Sequence, residues 1–295
     1  MNNTELKSFV NNNSNLVSMK ETSYPGVYVL KYKRKVFYDN LWNDFLEECR
    51  GTLVDADFNL ISYPFTKVYN YGVEEKAPVL SDDTYVDAYR KVNGFMVAVT
   101  WYNGDILVST TGSTDSDFVS MARELIEPNI ELYRKTCQLY DRYTFMFECC
   151  HRNDPHIIPE QEGMYLLGLR SKVFGSPISV SPELNKSFGC FDVEHVRCTI
   201  ATLKLLARHV RHEGFVFYTE DGISAKIKSP YYLTSKWVAR NPRTDKLTNL
   251  NKDIKHNLDE EYYPLVDAIR ANVEEYTAMT EQQRLSWCRQ FLNSI

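Results

Sequence analysis

Four sets of residues in this chain have types and spacings that could do chemistry. Lys91 stands two residues before Asn93-Gly94 in "RKVNGFMV". A lysine amine is a nucleophile only when part of it is deprotonated near neutral pH, which burial or neighbouring cations bring about by penalising the ammonium form. Lys226 and Lys228 alternate in "SAKIKS". Residues two apart on a strand share a face, so the two amines project together and repel unless an anion or water lies between them. Glu148 in "FMFECC" is a carboxylate in an apolar strand, costly to bury unpaired, so it should meet a cation, a metal or a ligand cleft. Arg50 in "ECRGTLVD" precedes a glycine and a strand, and arginine suits bidentate contact with phosphate or carboxylate. Each also has a plainer reading. Lys91 would be a surface lysine at a hairpin root, the lysine pair a solvated edge, Glu148 half of a structural ion pair, and Arg50-Gly51 a solvated turn.

The elements that must position these groups are read from periodicity. "GVYVLKYK" (26–33) predicts a strand, and "GTLVDADFNLISYPF" (51–65) a hairpin turning near Asp55 to Phe58. "FMVAVTWY" and "DILVSTT" flank Asn103-Gly104, a two-residue turn whose central positions need positive φ. Residues 115–137 change to helical spacing, with Phe118, Met121, Leu125 and Ile126 on one stripe, Asp115 or Ser116 as cap, and Pro128 separating two helices. "YTFMFECC" (143–150) and "MYLLGLR" (164–170) return to strand, and 199–212 predict a helix buried through Leu203, Leu206 and Val210. "GFVFYTEDGISAKIKS" (214–229) is a further hairpin. A two-residue turn at Asp221-Gly222 would set Phe217 opposite Lys226 and Phe215 opposite Lys228, with Glu213 on the lysines' face. Lys226 and Lys228 would then be the cations that depress Lys91, provided they converge on it.

Beyond this hairpin the strand signal fades. Leu265, Ile269, Val273 and Tyr276 form one helical stripe, and "TEQQ" (280–283) has the form of a capping box ahead of Leu285, Cys288 and Leu292. The expected architecture is α+β: a β-rich domain over residues 1–235 with helices on its flanks, then a small all-α domain over 236–295.

Composition narrows the function classes. A hydrophobic content of 43% and a charged content of 25% fit an ordinary globular chain of 295 residues. The net charge of −5 does not advertise a nucleic-acid binder, although a local basic groove suffices for one. Seven scattered cysteines with no CxxC pair argue for reduced thiols and against a zinc site, which places the protein in the cytoplasm. No apolar run approaches membrane-spanning length, and the Asn-rich start lacks a signal-peptide core.

Taken in order, the chain carries Arg50-Gly51, Lys91-Val-Asn-Gly94, Phe147-Glu148, Glu213-Gly-Phe-Val216 and Lys226-Ile-Lys228. That series resembles the covalent nucleotidyltransferases, which comprise ATP-dependent RNA and DNA ligases and mRNA capping enzymes. Within them, "ECRG", "KVYN", "EGFV" and "KIKS" resemble segments of the single-strand RNA ligases of T-even bacteriophages, over roughly residues 25–235.

The resemblance implies an ATP-grasp-like ligase fold and a three-step reaction. Lys91 would attack the ATP α-phosphate, expelling pyrophosphate and leaving a lysyl-AMP. The AMP would pass to an RNA 5′-phosphate, and a 3′-hydroxyl would then attack and release AMP. By the same resemblance Lys226 and Lys228 face the α-phosphate, Lys67 the outer phosphates, and Tyr32 and Arg50 the triphosphate or ribose region. Glu148 faces the ribose, Glu213 and Glu148 hold Mg²⁺ (or Mn²⁺) through water, Tyr69 and Val216 wall the adenine, and Gly94 allows close approach. The implied partner is single-stranded RNA with 5′-phosphate and 3′-hydroxyl ends, broken tRNA among the candidates, for a monomeric enzyme of RNA repair. A phage source, and hence a host cytoplasm, is suggested by the resemblance alone.

Three features depart from the pattern. Asn93 stands where the motif commonly has Asp, Thr111 stands where the phage enzymes have a lysine, and only 67 residues follow Lys228. The other readings are a nick-sealing RNA or DNA ligase or a capping guanylyltransferase, both of which normally append an OB-fold, and an RNA-binding module with a decayed site. Helical stripes in 236–295 argue against the first two, and the intact Lys91, Glu148, Glu213, Lys226 and Lys228 against the third.

Overall fold

The alternating runs form three antiparallel sheets. The computed structural model describes residues 1–240 and 262–294. The first sheet is β1 (Val17–Glu21), β2 (Tyr28–Tyr32), β3 (Arg50–Val54) and β4 (Leu60–Ser62), in that spatial order. The third contains β5 (Tyr85–Arg90), β11 (His195–Thr199), β12 (Gly214–Tyr218) and β13 (Ser224–Lys228), ordered β11-β5-β12-β13. The second contains β6 (Phe95–Tyr102), β7 (Asp105–Ser109), β8 (Tyr143–Cys150), β9 (Gly163–Ser171) and β10 (Ile178–Ser179), ordered β10-β9-β8-β6-β7.

Helices cover the faces that the sheets leave apolar. Helices α1 (Asn3–Asn12), α2 (Arg34–Tyr38) and α3 (Asp44–Glu48) close the first sheet around Leu6, Val36 and Leu46. Helices α4 (Asp117–Ile126), α5 (Ile130–Leu139) and α6 (Asn185–Phe188) cover the second sheet over Val97, Phe145 and Phe147. Helix α7 (Ile200–His209) covers the third over Val86 and Phe217. Helix α8 (Pro230–Arg240) and the helices Tyr263–Ala271, Val273–Ala278 and Glu281–Ser294 share a cluster with Ile157 and Ile158, which belong to the loop after β8. No helix among the described residues is long and apolar enough to cross a membrane.

Most local expectations hold. Asn103 and Gly104 have φ of 50° and 86° and join Tyr102 to Asp105 as a two-residue turn. The Thr280–Gln283 capping box forms in both directions. Helix α1, capped by Asn2 and Glu5, was hidden in the Asn-rich start.

Three expectations shift. The α4 stripe falls on Val119, Ala122 and Ile126, which pack into the core of the second sheet with Val97, Val108 and Phe147, leaving Phe118 exposed. Helix α7 ends at His209, with Ile200, Leu203 and Ala207 as its buried positions and Val210 already extended.

The last hairpin differs most. Its loop is Glu220–Gly222, three residues, with Gly222 at φ 79° and Thr219 N–H bonded to the Ile223 carbonyl. Three-residue loops place glycine in this left-handed position. One extra loop residue moves every partner by one, so Val216 opposes Lys226 and Phe217 opposes Ala225. Phe217 and Ala225 go to the core together, and Lys226 is left beside a small aliphatic neighbour.

Candidate active site

Lys91 to Gly94 is the link by which the chain leaves one sheet and enters another. Strand β5 of the third sheet ends at Arg90, and β6 of the second begins at Phe95. The four residues between are therefore held from both sides. Lys91 N–H donates to the Gly214 carbonyl at 2.8 Å, and Gly94 N–H donates to a Glu148 carboxylate oxygen at 3.0 Å. The Lys91 side chain opens into a cleft between the sheets, lined also by Arg50, Phe65, Tyr89, Met96, Glu148, Val216 and Lys226.

Gly94 is needed for contact rather than for a turn. A Cβ there would lie 2.3 Å from the Cys149 carbonyl oxygen and 2.9 Å from Cys150 Sγ. Gly94→Ala is therefore expected to push β6 off β8, costing about 1–3 kcal/mol as overpacking against backbone does. Thermal unfolding reads the loss, and the same variant should lose its hold on Glu148.

Carboxylates crowd around this link. Glu213 is 3% exposed and bonds three groups. Lys91 Nζ donates to it at 3.0 Å, the Asn93 amide donates at 2.6 Å, and Lys228 Nζ stands 3.3 Å away. Burial alone would raise its pKa, but Lys91 and Lys228 together bring it below the ordinary carboxylate value. Glu148, also buried, is pushed up by burial, with Lys91 opposing and Glu213 reinforcing. Glu160, unforeseen in the sequence, bonds Arg90 at 2.5 Å and accepts the Asn93 N–H at 3.2 Å.

These carboxylates reverse the expectation for Lys91. Burial lowers its pKa, but Glu148 and Glu213 outweigh that and raise it above the ordinary lysine value. In the cleft the depressed lysine is Lys226, taken down to about 7 by burial first, then by Lys228, Arg50 and Lys91. The nucleophile candidate thus rests as an ammonium on Glu213, and a cleft-facing cation carries the strain of desolvation.

Asn93 acquires a structural role that its departure from the motif did not suggest. Its amide nitrogen donates to Glu213 and its amide oxygen accepts Ile158 N–H at 2.9 Å. An aspartate could keep the second bond but would set a carboxylate against Glu213. Asn93→Asp is expected to lower stability by about 1–3 kcal/mol near pH 8, the cost of a lost hydrogen bond to a charged group. The two carboxylates share a proton at low pH, so their folded pKa rises and the deficit grows as pH climbs through the carboxylate range. Melting curves at pH 5 and pH 8 check the sign.

Local sequence explains how the remaining groups arrive. Gly214 has φ of 129°, and a Cβ there would lie 2.1 Å from the Ile227 carbonyl oxygen, so only glycine lets Glu213 turn in beside Lys228. Gly51 follows Arg50 at φ 99° and sits against Thr110 and Thr111, where a Cβ would meet Thr111 Cα at 2.8 Å. Arg50 and Thr111 thereby reach the cleft together.

Of the residues singled out by sequence, the structure brings Arg50, Lys91, Glu148, Val216 and Lys226 to the cleft wall, with Gly94, Glu213 and Lys228 directly behind them. It does not bring Tyr32, Lys67 or Tyr69 there. Of residues 65–68, Phe65, Thr66 and Val68 line the cleft. Lys67 instead pairs with Glu74 at 2.5 Å and lies 3.8 Å from the Tyr69 ring centre. The Tyr69 hydroxyl is bonded to Glu47 at 2.5 Å. Tyr32 packs edge-on against Trp42, 5.8 Å from the Arg50 guanidinium. Sequence reasoning missed Phe65, Tyr89, Met96 and Glu160, whose residue types carry no signal outside the assembled cleft.

The cleft thus holds a lysine between two sheets, with buried carboxylates beneath it and Arg50 and Lys226 in its lining. The model of the RNA ligase family matches residues 48–232, well over half of the chain, and the chain belongs to that family. Solved structures share the fold. One, from Aquifex aeolicus and assigned as an ATP-dependent DNA ligase, superposes with a TM-score of 0.55 at 17% identity, covering 97% of this chain and 76% of that one. An archaeal ATP-dependent RNA ligase, seen in two forms, is 15% identical in each. One form gives a TM-score of 0.53 over 98% of this chain and 76% of that one; the other gives 0.55 over 94% and 76%. No curated protein sequence matches the chain.

Proposed function

We propose that this RNA ligase uses ATP to join the 5′-phosphate and 3′-hydroxyl ends of single-stranded RNA, with Lys91 as the residue that carries AMP. The observation that carries the proposal is the placement of Lys91 Nζ, 3.0 Å from Glu213 at the mouth of a cleft lined by Arg50, Glu148 and Lys226. The amine gives up a proton, for which the Glu213 carboxylate is in hydrogen-bond reach. Its nitrogen attacks the α-phosphate, the N–P bond forms, the bond to the β-phosphate oxygen breaks, and pyrophosphate leaves. Lys226 and Lys228 act on the charge that accumulates on the α-phosphate oxygens, where fixed cations lower the barrier. An RNA 5′-phosphate oxygen then takes the AMP from Lys91, and the RNA 3′-hydroxyl displaces AMP from that activated phosphate.

The donor set suits a divalent cation. Glu148 is a buried carboxylate with no ion pair among the described residues and a raised pKa, and Glu213 adds oxygen ligands beside it. No group of three His, Cys, Asp or Glu forms a cage there among the described residues. A Mg²⁺ or Mn²⁺ ion there would take its remaining ligands from water and substrate phosphate. Such an ion, when bound, supplies positive charge that opposes the carboxylates and favours the neutral amine. Lys67 would serve the outer phosphates only after leaving Glu74.

We read residues 1–235 as the adenylyltransferase unit and 236–295 as a helical unit set on it through α8. Every element described after Pro230 is helical, and we read this part as the helical unit of a single-strand-joining ligase. Repair of broken RNA, tRNA included, by a cytoplasmic monomer is the biological setting this reading favours.

The test is incubation with labelled ATP or GTP and Mg²⁺ or Mn²⁺, followed by the search for acid-labile, base-stable label on the protein. Label from ATP is expected. Label from GTP alone would turn the reading to capping, and none from either would end it.

A further inference from the structure

The segment Lys31–Leu41, "KYKRKVFYDNL", lies outside the chemistry described above, yet it is the strongest basic run near the cleft. Four of its residues are cations and Asp39 is its one acid, in a chain whose net charge is −5. Lys31, Lys33, Arg34 and Lys35 are all exposed, and none forms an ion pair among the described residues. The short helix α2 is pinned by Val36, fully buried against Leu30, Trp42 and Leu46. Its next two residues face outward: Phe37 is 60% exposed and Tyr38 75%, with ring centres 5.6 Å apart. Two adjacent, exposed aromatic rings beside a basic run offer faces on which unpaired bases can stack.

The segment is continuous with the active site. A bulge in the β2–β3 pairing sets Lys31 beside Arg50, which lines the cleft. The Lys31 amine also lies 2.8 Å from where a Cβ would stand on Gly112, next to cleft-lining Thr111. A cation from β2 therefore stands close to the position where Thr111 supplies none.

We propose that Lys31 to Tyr38 is the docking surface for the single-stranded RNA that enters this cleft: the cations track its phosphates, and Phe37 and Tyr38 stack on its unpaired bases. The proposal rests on the ligase reading for the identity of the RNA. Charge complementarity favours a nucleic acid over an apolar partner. Adjacent free rings favour a single strand over a duplex, whose bases are already stacked.

The test uses the full-length protein, a 5′-phosphorylated single-stranded RNA oligonucleotide and two variants. Phe37→Ala/Tyr38→Ala is expected to weaken RNA binding, read by fluorescence anisotropy, by about 10-fold or more, as loss of base stacking does. Lys33→Ala/Arg34→Ala/Lys35→Ala should make the fall of log affinity with log salt shallower by about 2, at about 0.7 per cation for single strands. In both variants AMP transfer from ATP to the protein should match wild type, and the KM for RNA should rise with little change in kcat. Wild-type RNA affinity and salt slope in variants that take up AMP normally would overturn the proposal while leaving the ligase reading intact. A wild-type protein that takes no AMP, yet loses RNA binding in these variants, would end the ligase reading and leave the surface standing.

Discussion

Lys91→Ala takes up no detectable AMP from ATP, yet seals RNA supplied already adenylated at a rate within about tenfold of wild type. That is the expected outcome if Lys91 acts only as the nucleophile, since a missing nucleophile removes the covalent step and leaves the steps after it their own groups. The structure predicts a folded variant. Glu213 would keep the Asn93 amide at 2.6 Å and Lys228 at 3.3 Å, so it is not left as an uncompensated buried charge. Glu148 would rise further in pKa, because Lys91 is the group that chiefly opposes its burial. Unfolding curves separate this adjustment from collapse of the site. Failure of a well-folded variant to seal adenylated RNA would give Lys91 a second role in joining.

Lys226→Met loses about 10²–10³ in the rate of AMP transfer, the usual cost of removing one fixed donor from a developing oxyanion. Its pH behaviour distinguishes this cation from a merely structural one. In the free protein the Lys226 amine is held at about 7 by burial and by Lys228, Arg50 and Lys91. Above that pH it is largely neutral, and a triphosphate must restore its proton on binding. Wild-type affinity for nucleotide should therefore fall as pH rises from 7 to 9, with proton uptake visible by calorimetry in buffers of different ionisation enthalpy. Lys226→Met should flatten both.

Stability should move the other way. A lysine whose folded pKa lies below its unfolded value penalises the fold fully below about pH 7, and the penalty fades as pH rises toward 10.5. Lys226→Met should then melt higher than wild type at pH 6 and converge with it at alkaline pH. A variant that binds and transfers AMP normally, with wild-type pH dependence, would remove Lys226 from the phosphate.

Much of this site was legible because its residues announce themselves locally. Lys226 and Lys228 had to share a face by strand periodicity, Glu148 had to face something polar, and Gly94 marked a close approach that the structure contains, while those at Gly51 and Gly214 emerge only in the structure. The register of the last hairpin was not legible. One residue in its loop, Gly222 in a left-handed conformation, decides whether Phe217 or Val216 stands opposite Lys226. Tyr32, Lys67 and Tyr69 were likewise undecidable by pattern, since partners such as Trp42, Glu47 and Glu74 come from chain segments whose approach no periodicity reports.

The sequence by itself determined many of the strands, the Asn103-Gly104 turn, the order of the chemical residues along the chain, and the family to which that order points. These follow from alternation, glycine placement and spacing, which act between near neighbours. Only the tertiary structure decided which amine is charged. Lys91 was expected to be depressed by cations and is instead raised by Glu148 and Glu213, while Lys226 takes the depression. Electrostatic energy depends on separation in space and on burial, and the groups that set it are brought together across sheets from residues 50, 91, 148, 213, 226 and 228.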